Sequence, residues 1–138
     1  MTQEDKDLLL KDLCARLPYG VKVESVFINP DTKEHKSCGI EVFNATSLLM
    51  IRDGLGEFKP YLFPLSSMTE EQQEEFDRIY ADDMQVVANN LKNRLDGKPY
   101  ETNFGHYRHI DWLNANHFDY RNLIDKNLAI DCTNLNIY

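Results

Sequence analysis

The sequence predicts an α+β fold: an antiparallel sheet from the middle of the chain, packed by one long helix, with short helices near the C-terminus. Residues 21–28, "VKVESVFI", are dense in β-branched side chains, which favour strands. Residues 67–97 instead carry apolar side chains at helical spacing. A length of 138 residues fits one domain, so we predict a single α+β domain over 1–138.

A first helix is predicted from the start of the chain to about Leu17. Thr2 or Asp5 can cap its N-terminus, and "PYG" (18–20) ends it. Four residues at i, i+3, i+4 and i+7 predict one buried apolar stripe: Leu10, Leu13, Cys14 and Leu17.

Several strands are predicted after this helix. A polar turn at 29–36 separates 21–28 from "CGIEVF" at 38–43. The apolar run "SLLMIR" (47–52) is typical of a strand buried on both faces, and Asp53-Gly54 suits a hairpin turn into "LGEFKPYLF" (55–63). Two prolines place the end of that last strand at a sheet edge or beyond it: Pro60 and Pro64.

The clearest helical pattern lies in residues 67–97. Ser67 with Glu70, or Thr69 with Gln72, forms a capping box, and Gly97 can end the helix. The apolar stripe that we expect to be buried consists of Phe76, Tyr80, Met84, Val87 and Leu91.

One charged residue interrupts that stripe. Asp83 points into its middle if the helix is continuous. Either the helix breaks near Ala81 and Asp83 caps a second segment, or Asp83 meets a buried partner. The pattern favours the break.

Two short helices are predicted near the C-terminus, over 111–116 and 120–126, with a last strand over 128–131. Asp119 is a good N-cap for the second helix. Asparagines in a left-handed conformation are expected to end the two helices: Asn116 and Asn127. Trp112 and Leu113 are predicted to lie in the core. The apolar contacts of this region are expected from Trp112, Leu113, Phe118, Leu123, Ile124, Leu128 and Ile130.

Three of the four histidines lie in the same region and suggest a metal or acid–base site. His106 and His109 form an HxxH pair, with Asp111, His117 and Asp119 close in sequence. Divalent ions bind such His and carboxylate sets. HxxH alone is common, however, and the chain has no HExxH motif, no paired Cys/His ligands and no EF-hand loop. We therefore predict no metal and no cofactor, and keep these five residues as candidate catalytic residues.

The charge of the chain limits its partners. The net charge is −8, and residues 69–91 hold seven acidic side chains and one basic side chain. Proteins that bind nucleic acids or anionic membranes through phosphate groups need a basic surface. A nucleic-acid or anionic-membrane partner is therefore not expected, whereas a protein partner is compatible with this charge.

The acidic N-terminus lacks the features of a signal peptide, which predicts a cytoplasmic protein. The odd cysteine count, without a CxxC motif, predicts three buried reduced thiols: Cys14, Cys38 and Cys132.

Three blocks of the sequence resemble a known family. They are "KDLCARLPYGV" (11–21), "KPYLFPLSSMTEEQ" (59–72) and "IDWLNANHFDYRNLIDKNLAI" (110–130), about a third of the chain. Together they resemble small uncharacterised proteins of Bacteroides-type gut bacteria and their phages. That family often has glycine at the positions of Asn122 and Asn127, and histidine at the position of Asn116. Because this chain has asparagine at 116, a pair of histidines at that place is not a requirement. The resemblance implies a prophage or mobile-element setting and no particular activity.

Three hypotheses about function follow. The first is a non-enzymatic accessory or protein-interaction domain in a bacterial or phage setting. The second is a metal-dependent or acid–base enzyme that uses the His/Asp cluster at 106–119. The third is an acidic decoy that mimics nucleic acid and binds a basic protein through the helix face at 70–83.

Overall fold

The structure, a computed structural model, describes residues 1–101 and 107–138. It is α+β, as the sequence predicts, with helices and a mixed sheet. The chain divides into two compact units: unit 1 comprises residues 1–67 and 117–138, and unit 2 comprises residues 68–116. The single domain over 1–138 stays a prediction.

Unit 1 holds a five-stranded sheet and two helices. The helices are α1 (Gln3–Arg16) and α2 (Ala45–Arg52), and short 3-10 turns occupy Leu17–Tyr19 and Leu65–Ser67. The strands are β1 (Lys22–Ile28), β2 (His35–Val42), β3 (Gly56–Pro64), β4 (Phe118–Asp119) and β5 (Ile130–Asp131).

The sheet is mixed: its three longer strands are antiparallel, as predicted, and two short strands add parallel pairings. β1 pairs antiparallel with both β2 and β3, whereas the two-residue strands β4 and β5 pair parallel with β3. β4 and β5 follow β3 only after a long stretch of chain, so no hairpin constrains their direction.

Strand β3 lies inside the sheet rather than at its edge, contrary to the proline-based prediction. Pro60 is opposite Val23 of β1, and the pairings with β5 and β4 begin only at Tyr61. Pro60 is therefore not needed as a donor to those two strands, which explains how an interior strand tolerates it.

Residues 47–52 form part of helix α2, so the predicted buried strand was wrong. The Asn44 side-chain oxygen accepts the backbone N–H groups of Thr46 and Ser47 at 2.9 and 3.2 Å. The Ser47 hydroxyl in turn accepts the Asn44 N–H at 3.2 Å, which completes a capping box. This start signal outweighs a short apolar run that periodicity cannot assign. Gly54, at φ +70°, follows the end of the helix instead of turning a hairpin.

The core of unit 1 lies between α1, the sheet and the C-terminal segment. Its buried side chains are Leu9, Leu13, Val21, Val23, Phe43, Phe58, Leu62, Leu123, Leu128 and Ala129. The predicted stripe of α1 was partly wrong. Leu10 is 38% exposed and Cys14 is exposed, whereas Asp12 and Arg16 are completely buried.

Unit 2 contains α3 (Glu70–Leu95) and α4 (Arg108–Ala115). A capping box of Thr69 and Gln72 starts α3, one of the two predicted boxes. The helix is continuous, so the favoured break near Ala81 was wrong and the alternative, a buried partner for Asp83, is correct.

The apolar stripe of α3 is only partly buried, contrary to expectation. Tyr80 is 45% exposed and Leu91 is 60% exposed. The fully buried residues of this helix are polar: Asp83 and Asn90. Asn90 accepts the backbone N–H of Glu101 at 2.6 Å and so ties the segment after α3 back to the helix.

Near the C-terminus the predicted helix at 120–126 is replaced by turns. Asn127 is left-handed at φ +58°, as predicted, but Asn116 is not, and His117 takes that conformation at φ +62°. The last strand shortens to Ile130–Asp131. Leu113 is buried as predicted, whereas Trp112 is only half-buried.

Candidate functional site

The five candidate residues from the sequence belong to different parts of the structure. His109 and Asp111 are in α4 of unit 2, whereas His117 precedes β4 and Asp119 ends it, both in unit 1. His106 lies outside the described residues. Within residues 1–101 and 107–138, no group of three or more His, Cys, Asp or Glu side chains is placed to hold a metal ion.

His109 instead pairs with Asp83, a residue outside the predicted set. The His109 Nδ1 atom lies 2.6 Å from Asp83 Oδ2, and the backbone N–H of His109 donates to the same oxygen at 2.8 Å. The Asp83 side chain is 5% exposed and that of His109 is 12% exposed. The pair is therefore shielded from water. Hydrogen bonds to a charged group contribute most in such a water-poor environment.

Asp83 caps helix α4 from a neighbouring helix. The N-cap residue of α4, Tyr107, makes no side-chain capping bond. The Asp83 carboxylate accepts the backbone N–H groups of Arg108 and His109, the first residues of α4. It therefore satisfies donors that the helix cannot pair itself, and it places a negative charge at the positive end of the helix dipole.

The hydrogen bonds set the ionisation of this carboxyl group. Burial alone would raise the pKa of Asp83, but the hydrogen bonds from the backbone and side chain of His109 and from the backbone of Arg108 outweigh it. The pKa of Asp83 is therefore below its usual value, and the group is ionised at neutral pH.

Aromatic rings surround the imidazole of His109. The ring centroid of Tyr80 lies 5.0 Å away, that of Tyr107 at 5.7 Å and that of Phe76 at 6.1 Å, each in an edge-to-face arrangement. Trp112 packs on Phe76 at 5.8 Å. These rings fix the orientation of His109 and lower the local dielectric constant around the pair.

The pair has the geometry of a carboxylate-oriented histidine. When Nδ1–H donates to Asp83, the basic lone pair of the neutral ring is on Nε2, as in catalytic dyads and metal-binding histidines. The same geometry also serves a purely structural end, because it locks α4 onto α3. Both roles use the same contacts.

Unit 1 contains a second buried charge cluster, which the sequence analysis missed. Arg16 Nε donates to Asp12 Oδ2 at 2.8 Å, and Arg121 Nη1 donates to Asp12 Oδ1 at 2.8 Å. Arg16 Nη2 also donates to the carbonyl oxygen of Phe118 at 2.6 Å, and the Tyr120 ring lies near both guanidinium groups. The cluster joins α1 to the C-terminal segment.

His117 lies beside this cluster and is stacked on Tyr138 at a centroid distance of 3.7 Å. Burial, followed by the positive charges of Arg16 and Lys22, lowers the pKa of His117 to about 4. The ring is therefore neutral at pH 7. Among the described residues, the buried side-chain nitrogens without a hydrogen-bond partner are His117 Nδ1 and Arg16 Nη1.

Asp119 has a structural role like the one predicted, although no helix follows it. Its carboxylate accepts the backbone N–H groups of Arg121, Leu123 and Ile124 at 3.2, 3.0 and 2.9 Å. These bonds form the turn that replaces the predicted helix, so Asp119 is occupied by its own backbone neighbourhood.

Unit 1 also contains a cavity of about 490 Å³ between α1, β1 and β3. Apolar side chains such as Leu9, Leu13 and Phe58 line it, and its charged lining includes Lys6 and Glu57. None of the candidate histidines or aspartates is among the described residues that line it.

The cysteines differ from the prediction of three buried thiols. Cys14 and Cys38 are exposed and only Cys132 is buried. Burial, followed by the charge of Asp131, raises the pKa of the Cys132 thiol to about 11, so this thiol is protonated and a poor nucleophile at neutral pH.

No family model, curated protein or solved structure matches this chain. Within the described part of the chain, no helix has the length and apolar character that crossing a membrane requires.

Proposed function

We propose that this protein is a non-enzymatic interaction domain whose binding surface is the apolar face of α3. The face consists of Tyr80, Met84, Val87, Leu91 and Leu95. One observation carries the proposal: Tyr80, Leu91 and Leu95 are 45%, 60% and 79% exposed on a single helix. Contiguous exposed apolar patches are rare on the surfaces of monomeric proteins, and where they occur they often mark protein-binding sites.

The packing within unit 2 supports the same proposal. The side of α3 that carries the buried Asp83 and Asn90 contacts His109 and Glu101 through hydrogen bonds. These hydrogen bonds, with the ring contacts of Phe76 and Tyr80 on His109, hold α3 against α4. The side chains of Leu91 and Leu95 and the exposed part of Tyr80 are left for another molecule. The prophage or mobile-element setting that the family resemblance implies belongs to this proposal.

Site-specific photocross-linking tests the interaction role. A photoreactive phenylalanine analogue is placed at Leu91, and for comparison at Gln85, an exposed position outside the apolar face of the same helix. The protein is irradiated in a Bacteroides-type bacterium, the setting that the resemblance implies. We expect one adduct of defined mass from position 91 and none from position 85. Equal labelling at both positions, or none at position 91, contradicts the proposal.

A second candidate function is an acid–base centre at His109. The observation that favours it is the 2.6 Å contact between Asp83 and Nδ1, which leaves Nε2 as the basic nitrogen. Nitrogen-15 NMR of the histidine ring tests it. A catalytic or metal-binding role predicts a neutral ring protonated at Nδ1 whose Nε2 signal shifts when a substrate or divalent ion binds. A signal unchanged by divalent ions and small-molecule mixtures leaves the capping of α4 as the role of the pair.

A further inference from the structure

The partly exposed stripe of α3, in which Tyr80 and Leu91 are exposed and Met84 and Val87 are half-buried, has the spacing of a helix-pairing seam. Tyr80, Met84, Val87 and Leu91 are separated by four, three and four residues, which is the a/d repeat of two-stranded coiled coils. Ala81 and Ala88 flank the stripe and are exposed, so their small side chains permit a second helix to approach closely. The helix has 26 residues, so it offers a contact about 39 Å long.

The charges of α3 define the direction in which a second helix fits. Residues 70–83 carry seven acidic side chains and one basic side chain. Residues 84–98 carry three basic side chains and one acidic side chain: Lys92, Arg94, Lys98 and Asp96. A parallel copy of α3 brings the two acidic halves together, whereas an antiparallel copy brings each acidic half against a basic half. The helix is therefore complementary to itself in the antiparallel direction.

A single two-fold axis satisfies both the apolar and the charged positions. With the axis between Gln85 and Val86, Tyr80 of one copy faces Leu91 of the other, and Met84 faces Val87. The same register places Asp77 opposite Arg94. Each contact occurs twice because the arrangement is symmetric, and the interface closes as a dimer rather than extending into a filament.

We propose that two copies of this chain associate through α3 in antiparallel orientation, with Tyr80 packed against Leu91 and Asp77 paired with Arg94 of the other copy. The inference rests on the proposed interaction role of the same face, and it names the partner. The contact is one helix wide, so the dimer is of the weak, reversible class.

Sedimentation equilibrium across micromolar to near-millimolar concentrations tests the dimer. Wild type and Gln85→Glu should fit a monomer–dimer equilibrium, and Leu91→Glu should remain monomeric over the same range. The two variants introduce the same charge at exposed positions of one helix, so they differ only in the face that they alter. Circular dichroism and Trp112 fluorescence check that both keep the fold. Wild type that stays monomeric, or a dimer that Leu91→Glu does not weaken, overturns the proposal.

A charge exchange tests the antiparallel register. Asp77→Arg and Arg94→Asp each place like charges opposite each other twice, so each should weaken the dimer by about tenfold. The double variant restores both pairs and should return to the wild-type dissociation constant. A double variant as weak as the single variants overturns the register.

The two proposals fail separately. A monomeric wild type that still gives a cross-link from position 91 to a protein of different mass overturns self-association and keeps the interaction role. Absence of any cross-link at position 91 overturns the interaction role itself.

Discussion

Replacement of Asp83 by alanine is the strongest test of how unit 2 is held together. The substitution removes one carboxylate. This carboxylate accepts hydrogen bonds from the backbone N–H groups of Arg108 and His109, and it contacts the Nδ1 atom of His109. Loss of an N-cap costs about 0.5–2 kcal/mol, and loss of a hydrogen bond to a charged group costs about 1.5–3 kcal/mol. Because Asp83 does both, we expect the free energy of unfolding of unit 2 to fall by about 3 kcal/mol.

Urea denaturation followed by tryptophan fluorescence measures this loss. Trp112 is the only tryptophan of the chain and lies in α4, so its emission reports on unit 2. The denaturation midpoint should fall by about 2 M for a protein of this size. Asp83→Asn keeps an acceptor oxygen without the charge and should lose less.

Asp82→Ala is the matched control, because Asp82 is the exposed neighbour on the same helix and should change stability by less than about 0.5 kcal/mol.

The difference in the free energy of unfolding between wild type and Asp83→Ala should also depend on pH. The pKa of Asp83 is lowered in the folded chain, so its stabilisation is present above about pH 4 and is lost as pH falls through the lowered pKa. Equal effects of Asp82→Ala and Asp83→Ala would refute the capping role.

Four further outcomes are expected. The free energy of unfolding should fall as the pH drops from about 6.5 towards 4, because the pKa of His117 is about 4 in the folded chain and the unfolded chain takes up this proton first; His117→Gln should remove this slope. Asp12→Ala should cost about 3–5 kcal/mol in thermal or urea unfolding, because it leaves a buried arginine without its carboxylate. Glu71→Gln with Glu75→Gln should leave stability unchanged or slightly raised at low salt, and pull-downs should show the same bands as wild type; a basic protein captured by wild type alone would favour the acidic decoy. Elemental analysis of protein purified without chelator should find no stoichiometric zinc, and one equivalent that His109→Ala removes would favour the enzyme hypothesis.

The sequence predicted the features that depend on neighbouring residues. Thr2 starts α1 and Thr69 starts α3, each through a capping box, and Asn127 takes a left-handed conformation as expected. These features follow from side chains that bond to backbone groups two to four residues away, so a local reading of the chain contains the necessary information. The strand β1 was predicted for the same reason, since β-branched residues favour extended backbone locally.

The tertiary structure decided which face of each helix is buried. In α1 the buried positions include Asp12 and Arg16, and in α3 they are Asp83 and Asn90, whereas apolar neighbours such as Leu91 are exposed. Apolar periodicity misplaced both faces because a buried charge becomes acceptable only when a partner is present. The candidate site changed in the same way, since His109 pairs with Asp83 rather than with the histidines near it in sequence.

The partners that make these charges acceptable lie far away along the chain. Arg121 is 109 residues from Asp12, and His109 is 26 residues from Asp83. No local pattern encodes such a pairing, because the sequence states which groups need a partner but not which distant residue the fold brings to them. Composition and spacing therefore determined α1, β1 and α3 and the capped starts of both helices, but not α2 or the turns near the C-terminus. Only the folded chain could supply the partners that compensate for burying polar groups, and those partners decided the buried faces.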